Sequence, residues 1–225
     1  MQTLNLPEWN HPLVKSLASV SDRELVMLFQ QHPEAGRYFI AIFCRYSPLV
    51  HTLIRHSVRS PVQADYLFAL TWRHIYYELR GLDLAQLGES KTKATLQHWL
   101  INVTAHCINQ ASLPPVESIR YILSDAPPPL WCYLEQAMDQ IPPILRLIIV
   151  MAETFHWGDT RISAYLQAEG ERITAKQVRA KLQEGYRLLQ SMLPSDVRAI
   201  YLGHEELSVS APDTNPQGVR INANG

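Results

Sequence analysis

The densest chemistry in this sequence lies in residues 174–193. Four cations, Lys176, Arg179, Lys181 and Arg187, stand there against Glu184 alone. At the helical period, Val178, Leu182, Gly185, Leu189 and Met192 or Leu193 share one face, and Lys176, Arg179, Ala180, Gln183 and Arg187 point away from it. Thr174-Ala-Lys-Gln177 is a capping box that would open this helix: the threonine oxygen takes a free backbone N–H and the glutamine returns to the cap. Such a face suits the major groove of DNA. Arg and Lys match guanine, Gln matches adenine, and the charge excess meets phosphate. The candidate DNA-binding residues are therefore Lys176, Gln177, Arg179, Ala180, Lys181, Gln183 and Arg187. A solvated bundle helix would carry the same pattern, so the preceding segment matters. Residues 159–166 predict a short amphipathic helix with Ile162 and Leu166 inward and Asp159 as its cap, followed by a polar turn at 168–172. A short helix, a turn and a longer basic helix follow the helix-turn-helix plan.

Other reactive residue types form no pattern that a reaction needs. The nine histidines are scattered, with no H-E-x-x-H. His98 and His106 lie two turns apart on one helix, too far for one zinc ion to bridge easily. No G-x-S-x-G, G-x-x-x-x-G-K-[ST] or G-x-G-x-x-G occurs, so nucleophilic catalysis and nucleotide cradling lack their motifs. Asp65, Glu135 and Glu153 fall in helical patterns as solvated or ion-paired side chains. We expect no enzyme, no cofactor and no metal. Cys44, Cys107 and Cys132 are odd in number and widely spaced, which reads as buried reduced thiols of a cytosolic protein.

The elements that must position these residues are helical. Ser21-Asp-Arg-Glu24 is a capping box ahead of Leu25, Val26, Leu28 and Phe29. A second helix is predicted from near Glu34 to Ser57, with Phe39, Ile42, Phe43, Tyr46, Val50 and Ile54 on one face. Ser60-Pro-Val-Gln63 opens a third, which Gly81 ends. Residues 83–93 read as a loop and 95–108 as a helix. Residues 111–129 hold five prolines and read as a linker with a short helix at 116–123. A second helical block runs over 130–193, a short helix continues to Leu202, and the tail from Ser208 is polar and aperiodic, as disorder requires.

We therefore expect an all-α fold in two small helical domains, 1–110 and 130–203, joined by the Pro-rich linker 111–129 and followed by a disordered tail at 204–225. The chain is 47% hydrophobic and 18% charged, enough apolar matter for a core and too much for wholesale disorder. The densest apolar run, 144–152, is broken by Arg146 and is far shorter than a membrane span. The first residues have no basic stretch leading into an apolar one, so no signal peptide is expected and the location is read as cytoplasmic. The net charge of -1 gives no global attraction to nucleic acid, so any such surface is local. A second one is suggested in the first block. Arg37, Arg45, Arg55, Arg59, Arg73 and Arg80 outnumber Asp65 and Glu78, with Trp72, Tyr76, Tyr77 and Trp99 interleaved. Aromatics beside arginine stack unpaired bases in single-strand binders, and they also fill cores.

Taken in order, these blocks resemble an extracytoplasmic-function sigma factor, the small class of bacterial sigma factor, over residues 21–193. SDRELVMLFQQHPEAGRYFIAIFCRYSPLV looks like that family's opening pair of helices, and QADYLFALTWRHIYYEL is similar to the helix that docks on the polymerase clamp. TLQHWLINVTAHCINQ is similar to the helix at the minus-ten element. AMDQIPPILRLIIVMAETFHWGDTRISAYL and ITAKQVRAKLQEGYRLLQSML resemble the minus-thirty-five reader. The resemblance implies core RNA polymerase and promoter DNA as partners, allows an anti-sigma factor, and involves no membrane. It places Asp65 at the aspartate of the family's A-E-D motif. It makes Asp65, Trp72, Arg73 and Tyr76 the expected polymerase-binding residues, and the loop 83–93 the place of base capture. Phe68 and Ala69 stand where the family usually has Gln-Glu, and 95–110 holds no Lys or Arg. Those departures keep two other readings open. One is a degenerate sigma-like regulator or protein-interaction module. The other is a helix-turn-helix repressor or activator that binds duplex DNA as a dimer.

Overall fold

The computed structural model describes residues 6–85 and 95–203. Most of the loop expected at 83–93, and the tail at 204–225, lie outside the described residues. Among the described residues every regular element is helical: α1 (Pro12–Lys15), α2 (Asp22–Gln31), α3 (Arg37–Ser57), α4 (Pro61–Gly81), α5 (Leu96–Gln110), α6 (Pro128–Gln140), α7 (Pro143–Glu153), α8 (Asp159–Ala168), α9 (Ala175–Met192) and α10 (Ser195–Tyr201). No helix among them is long and apolar enough to cross a membrane.

Helix starts follow the sequence signals where a short polar side chain is available. Ser21, Ser60 and Thr95 each accept the backbone N–H three residues on, at the starts of α2, α4 and α5. Helix α3 differs. It begins at Arg37, three residues later than the periodicity from Glu34 suggests, and its cap position is Gly36, which has no side chain to offer. The missing acceptor comes from α10. Asp196 Oδ1 accepts the Gly36 N–H at 3.0 Å, and Oδ2 accepts the Arg37 N–H at 3.0 Å. The carboxylate is buried and sits on the positive end of the helix dipole, where a negative charge is favoured. Glycine is required here by proximity: a Cβ at position 36 would lie 2.2 Å from Val197 Cγ2.

The main core is aromatic. Phe29, Phe39, Phe43, Phe68, Trp72 and Tyr76 are all enclosed between α2, α3 and α4. Phe39 lies edge-on to Tyr76 at 4.8 Å and Phe43 edge-on to Trp72 at 4.9 Å between ring centroids. Such pairs contribute about 0.5–1.5 kcal/mol each beyond the area they bury. The cluster does not stop at the linker. Leu130, Cys132 and Tyr133 of α6, Leu193, and Val197 of α10 belong to it. Arg73 Nε and Nη2 clamp both carboxylate oxygens of Glu135 at 2.7 and 2.6 Å, which joins α4 to α6 in the bidentate geometry that arginine favours.

The linker itself holds a single 3-10 turn at Val116–Ser118 in place of the helix expected over 116–123. It lies against the helices. Gln63 Nε2 donates to Pro114 O at 2.9 Å, and the Tyr121 ring stacks on Trp131 at 5.4 Å. Near the start of the chain Arg45 donates to the carbonyls of Leu17, Ala18 and Val20 while pairing with Asp22, so α1 and α2 are tied to α3. Glu8, in a 3-10 turn, is buried against α3 and α10 and accepts from the Tyr201 hydroxyl at 3.3 Å.

Two predictions come from this arrangement. Asp196→Ala leaves buried N–H groups without an acceptor and is expected to lower unfolding free energy by about 1–3 kcal/mol, read by urea denaturation. An unchanged midpoint would remove the cap from the account. Burial pushes the Glu8 carboxyl above its ordinary 4.5, because the charged form loses its hydration. A raised folded pKa gives stability that is fully present below the unfolded value and lost as pH rises through the folded one. Thermal melts across that range should show stability falling with pH, and Glu8→Gln should flatten the profile.

Candidate nucleic-acid interface

Helices α7, α8 and α9 enclose a small core of their own: Ile148 and Met151 from α7, Ile162 and Leu166 from α8, Ile173 from the turn, and Val178 from α9. Helix α9 crosses α7 at close range. A Cβ on Gly185 would come within 2.8 Å of Ile149 Cδ1, so glycine sets the approach. Behind it, Leu189 packs with Ala137, Ile141, Leu145 and Ile149, which carries the contact on to α6.

The turn between α8 and α9 is short of regular structure yet well bonded. Gly170 takes a positive φ of 93°. Ser163 Oγ and Gln167 Nε2 both donate to the Ile173 carbonyl, at 2.7 and 2.9 Å. Thr174 and Gln177 form the reciprocal capping box expected at the start of α9, with the Thr174 N–H donating to Gln177 Oε1 at 2.8 Å. The position of α9 is thus fixed by α8 side chains that bond the turn and by its own cap, as well as by its apolar face.

The candidate residues divide by surroundings. Lys176, Arg179, Ala180, Gln183 and Arg187 are exposed and lie on the side of α9 opposite Val178, Gly185 and Leu189. Gln177 is exposed with its amide oxygen engaged by the cap, and Lys181 is half-buried on the flank. Arg179 Nε donates to Asp159 Oδ2 at 2.7 Å. Asp159 is the first residue of α8 and not its cap: the cap position is Gly158, and the carboxylate bonds Arg179 across the turn. Sequence spacing does not find this pair, because its members are 20 residues apart.

The first-block candidates fare differently. Asp65 is half-buried on α4, with His51 Nε2 at 3.7 Å. Burial pushes the His51 imidazole below its ordinary value, against the opposing pull of Asp65. Trp72 and Tyr76, expected at a polymerase-facing surface, are fully buried. Trp72 contacts Phe39, Phe43 and Phe68, and Tyr76 lies against the Tyr133 ring of α6 at 5.4 Å. Their large apolar rings are more stable in the core than in water, so in this conformation they present no surface to a partner. Arg73 is spent on Glu135. Of the aromatics singled out on α4, Tyr77 alone is exposed.

Among the described residues no three His, Cys, Asp or Glu side chains converge as a metal site would require. The three cysteines are free, and Cys44 and Cys132 are buried, with burial pushing both thiols up.

Sequence reasoning missed the exposed aromatic group beside α8. Phe155, Trp157 and Tyr165 have neighbouring rings, with both outer centroids 5.7 Å from Trp157. Their mixed spacing across a turn and a helix matches neither helical nor strand periodicity, so only the fold brings them together.

Arg179 is largely solvated, so its pair with Asp159 contributes less than about 1 kcal/mol to stability. We expect Arg179→Ala and Asp159→Ala each to leave the urea midpoint nearly unchanged. A large loss in either would make the pair structural. Comparison of the chain with family models, with curated proteins and with solved structures finds no match.

Proposed function

We propose that this chain is a sigma-factor-like transcription protein. On this reading α8, its turn and α9 form a helix-turn-helix that docks α9 in the major groove of promoter DNA, while the block built on α2 to α5 engages core RNA polymerase. The observation that carries the reading is the outer face of α9. Lys176, Arg179, Ala180, Gln183 and Arg187 are all exposed there, on a helix whose pose is set by the capping box, the turn bonds and the Gly185–Ile149 approach. Small Ala180 lets the backbone come near the base edges, with Lys176 and Gln183 on either side. Arg179 reaches the groove with the two guanidinium nitrogens that Asp159 leaves free. Arg187, further along, meets phosphate. Catalysis belongs to the polymerase, and the chain works in the cytoplasm without cofactor or metal. An anti-sigma factor would act by covering these surfaces.

One observation favours the second reading, a degenerate sigma-like regulator. Helix α6 lies over α4, with Tyr133 against Tyr76 and Glu135 on Arg73, so the face matched to clamp docking is occupied. The exposed remainder of α4 includes Tyr77, Glu78 and Arg80.

Run-off transcription with sigma-free core RNA polymerase separates the two. Specific new transcripts are the result expected of the sigma reading. Polymerase binding without transcripts would leave the regulator. No binding would overturn both and leave a duplex reader without polymerase. In the same assay Arg179→Ala is expected to weaken promoter binding by about 1–3 kcal/mol, and Arg187→Ala to reduce the salt dependence of binding across all sequences. Unchanged promoter affinity for Arg179→Ala would remove that residue from the site.

A further inference from the structure

The exposed ring cluster beside α8 has no role in the duplex reading above. Phe155 is 57% exposed and Tyr165 41%, and half-buried Trp157 lies between them, rooted on the small core of α7 to α9. The Arg161 guanidinium carbon stands 4.3 Å over the Trp157 ring. Among the described residues Arg161 has no carboxylate partner, so its charge is available to a ligand. The backbone holds the rings in place. His156 adopts a positive φ of 52°, a conformation side chains other than glycine seldom take, and the Trp157 N–H donates to Met151 O at 3.1 Å. The arrangement fixes aromatic faces at the surface with a planar cation stacked on one of them.

We propose that Phe155, Trp157, Tyr165 and Arg161 form a stacking site for the unpaired bases of a single-stranded nucleic acid. Flat π faces accept any base, and a guanidinium plane stacks on bases while its charge draws the phosphate backbone. Charge complementarity selects this occupant over an apolar protein surface. Of the nearby carboxylates, Asp159 is held by Arg179 and Glu153 accepts from the Tyr186 hydroxyl, so Arg161 is the charge that lies on the rings. The proposal does not depend on α9 reading duplex DNA.

The test is fluorescence anisotropy of the full chain with labelled single-stranded DNA and RNA oligonucleotides, each against an abasic strand of equal length. Base stacking predicts that the base-containing strand binds at least about fivefold tighter than the abasic one. The double variant Phe155→Ala with Tyr165→Ala removes two exposed rings and should abolish that difference with its melting temperature unchanged. Arg161→Gln should weaken binding to base-containing strands. Equal affinity for base-containing and abasic strands, with DNA and RNA alike, would overturn the proposal and leave the rings as a protein contact. Full retention of the difference in the double variant would overturn it as well. A Lys176→Ala, Arg187→Ala chain that loses duplex binding and keeps the base preference separates this site from the α9 face.

Discussion

A carboxylate from the last helix holds the start of the third. Asp196 gives both its oxygens to the N–H groups of Gly36 and Arg37, 160 and 159 residues away in sequence. Helix α3 runs through the main core, and its N-terminus lacks a side-chain cap of its own. Without Asp196 those donors would be buried with no acceptor, a cost that falls on the helix around which α2, α4 and α5 pack. Val197, beside the cap, fits where a Cβ on residue 36 would stand, and Leu193 and Val197 join the aromatic cluster. Since α10 follows α9 after Leu193 and Pro194, the same contact fixes the far end of the basic helix against the first block.

Helix α6 completes this coupling. Its first half contributes Leu130, Cys132 and Tyr133 to the aromatic core, and Ala137 near its end packs with Leu145, Ile149 and Leu189. One helix thus belongs to two apolar clusters, with the Arg73–Glu135 clamp setting its register on α4. The consequence for function is direct. Side chains on α4 that are exposed in an isolated helix are here covered, and partner binding through that face would require α6 to move. The exposed surface of the second block is chemically distinct: a basic, amide-bearing face on α9, and beside α8 three neighbouring rings with an arginine that has no carboxylate partner among the described residues.

How much of this could be read from the amino-acid order depends on the range of the interaction. The helices with local caps were legible: Ser21, Ser60 and Thr95 act within one turn, as does the Thr174–Gln177 box. The outward set on α9 was legible for the same reason, since helical geometry alone decides which residues oppose Val178 and Leu189. The start of α3 was misplaced because its cap comes from Asp196. The burial of Trp72 and Tyr76, which the resemblance set at a polymerase-facing surface, was not legible because a stripe of aromatics on a helix has the same spacing whether a neighbour covers it or not.

The sequence by itself determined the all-helical class, the local serine and threonine caps with the Thr174–Gln177 box, and the charge on the α9 face, because each is set by residues within a turn or two of one another. The tertiary structure decided which rings are core and which are surface. It also decided that Arg73 and Arg179 carry carboxylate partners, and that the chain's last described helix caps its third. Those outcomes depend on side chains tens to more than a hundred residues apart meeting in space, and helical periodicity carries no information about which faces will meet.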